Sequence, residues 1–157
     1  MPEKMDELDS LVGALLQSCG EQVLETMFFA PVLGDSDPAA GTGLTRITSR
    51  LHFQGKPCGD FEVDADILVA RSLAAGFLGI DETEVTAVQE DEIMAELCNM
   101  TCGSALSSLG RVEYFSLEAA ETSRPGEFAP GVDGVRRGFL LEAGTLSVCL
   151  RVEFEQS

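Results

Sequence analysis

Along residues 6–28 the apolar side chains Leu8, Leu11, Val12, Leu15, Leu16, Val23, Leu24 and Met27 recur at spacings of three and four. That period predicts an amphipathic helix ending near Pro31. The pattern then breaks. Residues 32–42 hold Gly34-Asp35-Ser36-Asp37-Pro38 and Gly41, with Gly43 just beyond, which is loop chemistry. Thr45, Ile47, Ser49, Leu51 and Phe53 alternate with their neighbours, Gln54-Gly55-Lys56-Pro57 reads as a turn, and Phe61 and Val63 resume the alternation. Residues 44–64 therefore predict a β-hairpin. Asp64 or Asp66 is placed to cap a helix over 66–78, with Gly79 at its end.

Asp81-Glu82-Thr83-Glu84 and Thr86-Ala87-Val88-Gln89 both have the spacing of a capping box. A long helix follows to Leu109, with Gly110 as its stop. Residues 112–119 alternate weakly and predict a strand. Pro125, Gly126, Pro130, Gly131 and Gly134 make 122–134 an exposed loop. Val135 to Leu141 and Thr145 to Phe154 read as a last pair of strands around Ala143-Gly144. The order is helix, hairpin, two helices, three strands. It predicts one α/β (α+β) domain over residues 1–157, an antiparallel sheet packed against long helices.

The segment from Glu90 to Leu106 has two distinct faces. On a helical wheel of about 100° per residue, Met94, Leu97, Thr101, Ala105, Cys98, Leu109 and Cys102 form one mostly apolar stripe. It should face the core. Glu92, Glu96, Asn99 and Gly103 fall on the opposite side, within about 60° of one another and one above the next. Two acids, an amide and a glycine thus share one outward stripe. A mid-helix glycine costs about 1 kcal/mol against alanine. Either it relieves a crowded crossing, or it leaves a gap beside Asn99 for a partner.

Charge narrows the function classes. Ten Lys and Arg against 27 Asp and Glu give the 157 residues a net charge of −17. Such a surface repels phosphate backbones and anionic lipid heads, so neither nucleic acid nor membrane is an expected partner. A basic protein partner fits better. No apolar run is long enough for a transmembrane helix. The acidic start, Met1-Pro2-Glu3-Lys4-Met5-Asp6-Glu7, lacks the features of a secretory signal. Five cysteines, an odd number, do not form a disulfide framework in a chain of this length. A cytoplasmic protein with reduced thiols is expected.

Other chemistry-bearing residues are weaker candidates. Cys98 and Cys102 stand one turn apart, as in a helical metal pair, but both lie on the apolar stripe and no second Cys/His pair accompanies them. They read as core residues, and no metal is expected. His52 is the only histidine, which leaves no support for a Cys–His dyad or a Ser–His–Asp triad. Asp35-Ser36-Asp37 lacks the remaining ligands of a cation loop. Gly41-Thr42-Gly43 opens no phosphate-binding pattern. Asp64, Asp66, Glu82, Glu84, Glu90, Asp91 and Glu92 read as a solvated acidic surface. Arg124, Arg136 and Arg137 read as a charged loop or a partner contact.

Glu96-Leu97-Cys98-Asn99-Met100 followed by Gly103 resembles the E-x-x-N-M-x-x-G signature of the CheC/CheX/FliY family of bacterial chemotaxis phosphatases, and within it the CheX-like members. Glu25-Thr26-Met27-Phe28 near the end of the first helix is similar to the opening of such chains. The resemblance implies a CheC-like fold and hydrolysis of the aspartyl phosphate of a phosphorylated CheY-type response regulator. It implies that Asn99 orients the attacking water and that Glu96 pairs with a lysine of the regulator. The regulator brings its own Mg²⁺, and no cofactor of the chain's own is implied. It also implies a homodimer paired through the sheets, for which the run Thr145–Phe154 offers an edge strand. Two positions depart from the family pattern. Glu92 stands where Asp or Ser is common. Thr122 stands where a proline is usual, with Pro125 the nearest. The first helix carries no second E-x-x-N: Glu21 is followed by Leu24, and Glu25 by Phe28. The competing expectation is a CheX-like docking module for a receiver domain or flagellar-motor protein, without catalysis. A thiol or metal protein using Cys98 and Cys102 is the distant third.

Overall fold

The computed structural model describes residues 2–36, 46–55, 58–109, 115–124 and 134–153. The expected loop at Asp37–Gly43, the turn at Lys56-Pro57, the stop at Gly110, the loop positions Pro125–Gly131 and the strand end at Phe154 lie outside the described residues. The chain runs α1 (Pro2–Met27), β1 (Gly34–Ser36), β2 (Arg46–Gln54), β3 (Cys58–Asp66) and α2 (Ile67–Leu78). A 3-10 turn (Glu82–Glu84), α3 (Ala87–Leu109), β4 (Ser116–Leu117), β5 (Glu121–Ser123), β6 (Val135–Leu141) and β7 (Gly144–Glu153) complete it. The seven strands form one antiparallel sheet in the order β1-β6-β7-β3-β2-β4, with β5 also paired to β2.

The helices cover one face of this sheet. Alternation along β2, β3 and β7 sends Ile47, Leu51, Phe53, Phe61, Val63, Ala65, Leu146, Val148 and Leu150 into a core shared with Leu16, Leu24, Leu73, Met94, Leu97 and Leu106. Gly20 lets α1 lie close on β6: a Cβ there would sit 2.5 Å from the Phe139 ring. The other face carries a polar ladder. Arg50, Glu62, Cys149 and Arg136 stand in one row across β2, β3, β7 and β6, and Thr48, Asp64 and Ser147 in the next.

Helix boundaries follow local signals. Thr86 and Gln89 form the expected capping box, Gln89 N–H donating to Thr86 Oγ1 at 3.2 Å and Thr86 N–H to Gln89 Oε1 at 2.9 Å. Gly79 ends α2 in the left-handed region at φ 70°, and its N–H and that of Ile80 both bond to the Ala75 carbonyl. Two expectations are corrected. Asp81 caps only the 3-10 turn, accepting from Thr83 N–H at 2.9 Å. Asp66 occupies the residue before α2, yet its carboxylate accepts from Thr145 N–H and pairs with Arg46 instead of capping.

The sheet corrects two further expectations. β1 and β5 lie in segments read as loops, whereas β4 falls inside the strand expected at 112–119, of which 115–119 are described. β7 is no edge strand: it is paired on both sides, to β3 and to β6. The described edges are β1 on one side and β4 with β5 on the other.

Candidate functional site

Helix α3 presents its two faces as the wheel predicts. Ile93, Met94, Leu97, Cys98, Thr101, Cys102, Ala105 and Leu106 are buried against the sheet and the other helices. Glu92 and Glu96 are exposed, and Asn99 and Gly103 half-buried. A Cβ added at Gly103 would meet no atom within 4 Å. The glycine therefore relieves no crowded crossing; it leaves open space on the stripe. Among the described residues, Glu92, Glu96 and Asn99 form no side-chain hydrogen bond or ion pair. Their polar groups are available to a second molecule.

The arginines contrast with these free acids. Glu90 is only 3% exposed and is held from two sides, by Arg71 Nε at 2.9 Å and Arg124 Nη2 at 3.1 Å. Arg124 also reaches Asp91 at 3.0 Å and the Ala87 carbonyl at 3.3 Å. Burial alone would lower the Arg124 pKa, but the carboxylates of Glu90 and Asp91 raise it overall, so the guanidinium stays charged. The Thr122 hydroxyl lies 3.0 Å from the Asp91 carbonyl and 3.2 Å from the Ser49 hydroxyl. β5 and the residue after it thus pin the first turn of α3 against the sheet. The position where proline is usual in the family is here a hydrogen-bonding link.

These anchors revise two sequence readings. Glu90 is not part of a solvated surface, and Asp64, Asp66 and Asp91 are paired with arginines; Glu82, Glu84 and Glu92 are exposed as expected. Arg124, Arg136 and Arg137 are internal ties. Arg136 reaches Glu62 and Ser147, and Arg137 donates to the Arg136 carbonyl while its guanidinium lies over Gly13. Glu90 falls on the apolar stripe of the α3 wheel, and a lone acid there was the available signal of a buried ion pair.

The remaining candidates do not assemble. Cys98 donates to the Ser49 carbonyl at 3.6 Å beneath the sheet, and burial pushes its thiol up to about 12. Burial likewise raises the Cys102 pKa. Both stay protonated at neutral pH and serve as core residues. His52 points to the opposite face of the sheet, where its Nδ1 lies 3.0 Å from Asp60. All five cysteines are free thiols. Asp35 lies in β1 and accepts from Gln17 Nε2 at 2.9 Å.

Comparison with known proteins meets this geometry. A family model described as chemotaxis phosphatase CheX matches residues 47–122, the stretch from β2 through α3 to β5. The chemotaxis protein CheX from Vibrio vulnificus superposes with a TM-score of 0.71 at 14% identity, over 88% of this chain and 93% of that one. CheX from Desulfovibrio desulfuricans gives 0.68 at 15% identity, over 90% and 99%. The CheX–CheY–BeF3–Mg complex from Borrelia burgdorferi gives 0.67 at 15% identity, over 89% and 96%. No curated protein matches the sequence. At these identities the structures establish the fold, mixed α/β with an antiparallel sheet. The matched segment contains the whole Glu96–Gly103 signature, and the chain is similar to the CheX-like members of the CheC/CheX/FliY family in that segment and in its fold.

Proposed function

We propose that this chain hydrolyses the aspartyl phosphate of a CheY-type receiver domain, with Asn99 and Glu96 as the working pair. The observation that carries the reading is the outward stripe of α3, where Glu96 and Asn99 stand without side-chain polar partners among the described residues, above an open glycine. The family model and the CheX–CheY complex among the structural relatives support the same partner class.

The chemistry suits these side chains. An aspartyl phosphate is a reactive mixed anhydride, and hydrolysis needs chiefly a water held in line with the phosphorus. A neutral amide both donates and accepts hydrogen bonds, so Asn99 can orient that water without placing a second negative charge beside the phosphoryl group. Glu96, one turn earlier, pairs with a lysine of the receiver and fixes the register of the two surfaces. Placement of this kind is worth several kcal/mol in a reaction that needs little covalent help. Mg²⁺ belongs to the receiver; the chain has no cofactor of its own in this reading. The free thiols suit a cytoplasmic setting. No helix among the described residues is long and apolar enough to cross a membrane.

The test is phosphate loss from a phosphorylated CheY-type receiver, with and without the chain, beside Asn99→Ala. Acceleration by the native chain that falls at least about 100-fold in the variant is expected. No acceleration on several receivers, with binding retained, would replace catalysis by the docking module, and Glu92→Asp and Glu92→Ser would then be the first reversions to test. We further expect a homodimer, paired through an edge other than β7. Light scattering at micromolar concentration should give twice the chain mass, and a monomer would refute the pairing.

A further inference from the structure

The core face of β2 carries one side chain that is polar where its neighbours on that face are not. Ile47, Leu51 and Phe53 point into the core, and Ser49 stands on the same beat of the alternation, fully buried among them. A hydroxyl in such a place costs stability unless it is hydrogen-bonded, and an alanine would fill the same space without that cost.

Two contacts lead from Ser49 to α3. Its carbonyl accepts from the Cys98 thiol at 3.6 Å. Its hydroxyl lies 3.2 Å from the Thr122 hydroxyl, which lies 3.0 Å from the Asp91 carbonyl. A carbonyl only accepts, and a hydroxyl has one proton to give. Thr122 therefore donates to Asp91, and Ser49 donates to Thr122. Through this one serine, β2 grips α3 at both Asp91 and Cys98.

Asp91 and Cys98 are seven residues apart. That is two turns, about 10 Å along the axis, and places them within about 20° of each other around it. They bracket Glu92 and Glu96, and Asn99 follows Cys98 directly. Apolar packing is non-directional, whereas two directional contacts along one side of a helix fix both its slide and its roll. The roll matters on the outward stripe. With side chains a helix has a radius of about 5–6 Å, so a roll of about 10° carries a side-chain tip about 1 Å. A displacement of that size at a reacting centre costs up to about 100-fold in rate.

We propose that Ser49 and Thr122 are positioning residues for Asn99: their hydrogen-bonded chain from Cys98 to Asp91 sets the roll of α3 on β2, and with it the aim of the Asn99 amide. The inference rests on the phosphatase reading for what Asn99 does, but not for how it is held. A proline at position 122 has no hydroxyl to give, so the tie is particular to chains that depart from the family pattern there.

The test compares Ser49→Ala and Thr122→Val, which remove a hydroxyl with little change of volume, with Thr122→Ser, which keeps it. By amide NMR of the isotope-labelled full chain, without a receiver, the Asn99 backbone and side-chain resonances should move in the first two and hold in the third. On a phosphorylated CheY-type receiver, kcat should fall about tenfold in the first two, and Thr122→Ser should restore it. KM should hold, because Glu96 is long and flexible enough to follow its lysine through a small roll. In the Asn99→Ala background Ser49→Ala should cost nothing further, since the tie acts through Asn99. Asn99 resonances that stay in place in every variant overturn the inference. So does a further rate loss in the Asn99→Ala background, or a loss in Thr122→Ser equal to that in Thr122→Val, either of which would make the tie a matter of folding alone. A native chain that accelerates no receiver, while the Asn99 resonances move as expected, supports the tie and overturns the phosphatase reading instead.

Discussion

Gly103 tests how one residue divides its service between fold and function. It sits inside α3 with no atom near the place of its missing Cβ. Packing therefore does not require glycine, and helix propensity argues against it. Gly103→Ala should stabilise the chain by about 1 kcal/mol. Thermal unfolding would show this as a Tm rise of about 2–4 °C. If the gap admits the receiver, the same variant loses phosphatase activity while gaining stability, and one assay beside the melt separates the two effects. The site itself was legible in the sequence because the α3 period is regular and its polar stripe is narrow. Its anchors were harder to read. Glu90 looks like any other acid in Glu90-Asp91-Glu92 until the wheel places it among apolar residues, and nothing local announces that Arg71 and Arg124 come from both sides to meet it.

At the scale of elements, α3 is held by three devices: its capping box, its apolar stripe and the Arg71–Glu90–Arg124 clamp. The two arginines are redundant, since either alone leaves Glu90 with a cation. Arg71→Ala or Arg124→Ala should each cost about 1 kcal/mol, and the double variant about 3 kcal/mol or more, because the buried carboxylate is then unpaired. Urea midpoints of the four proteins in the cycle would reveal this excess over additivity. The sheet has its own tie in the row His52–Asp60–Arg151 across β2, β3 and β7. Burial alone would raise the Asp60 pKa, but hydrogen bonds from His52 and Arg151 bring it below its ordinary 3.8. A carboxylate depressed in the folded state stabilises fully above its unfolded pKa and loses that contribution as pH falls through the folded one. Asp60→Asn should therefore be less stable than the native chain above about pH 4, and the difference should close in stronger acid. Urea midpoints from pH 7 down to 3 would follow it. The strands show the limits of reading period from sequence. β2 and β3 are long enough to alternate visibly. β1 and β5 have three residues each, too few to show any period, and are recruited by the strands they edge.

For the molecule as a whole, composition set the acidic surface and alternation set the layers, but neither fixed the order of strands. Of the residues of β7 that face away from the helices, Thr145, Ser147 and Cys149 are small and uncharged, with charge only at the strand's end in Arg151 and Glu153, whereas exposed edges tend to carry charge. That pattern was the readable hint that β7 lies inside the sheet. Its position also bears on how the protein is made. β3 and β6 both precede β7 in the chain, yet neither completes its ladder until β7 arrives between them, and Asp60 then meets Arg151 across 91 residues. A nascent chain that has emerged only as far as β6 holds two unsatisfied strand edges and lacks Leu146, Val148 and Leu150 from its core. Assembly of the sheet must wait on a late, long-range insertion, which favours slow folding and leaves the unfinished chain open to pairing with its neighbours.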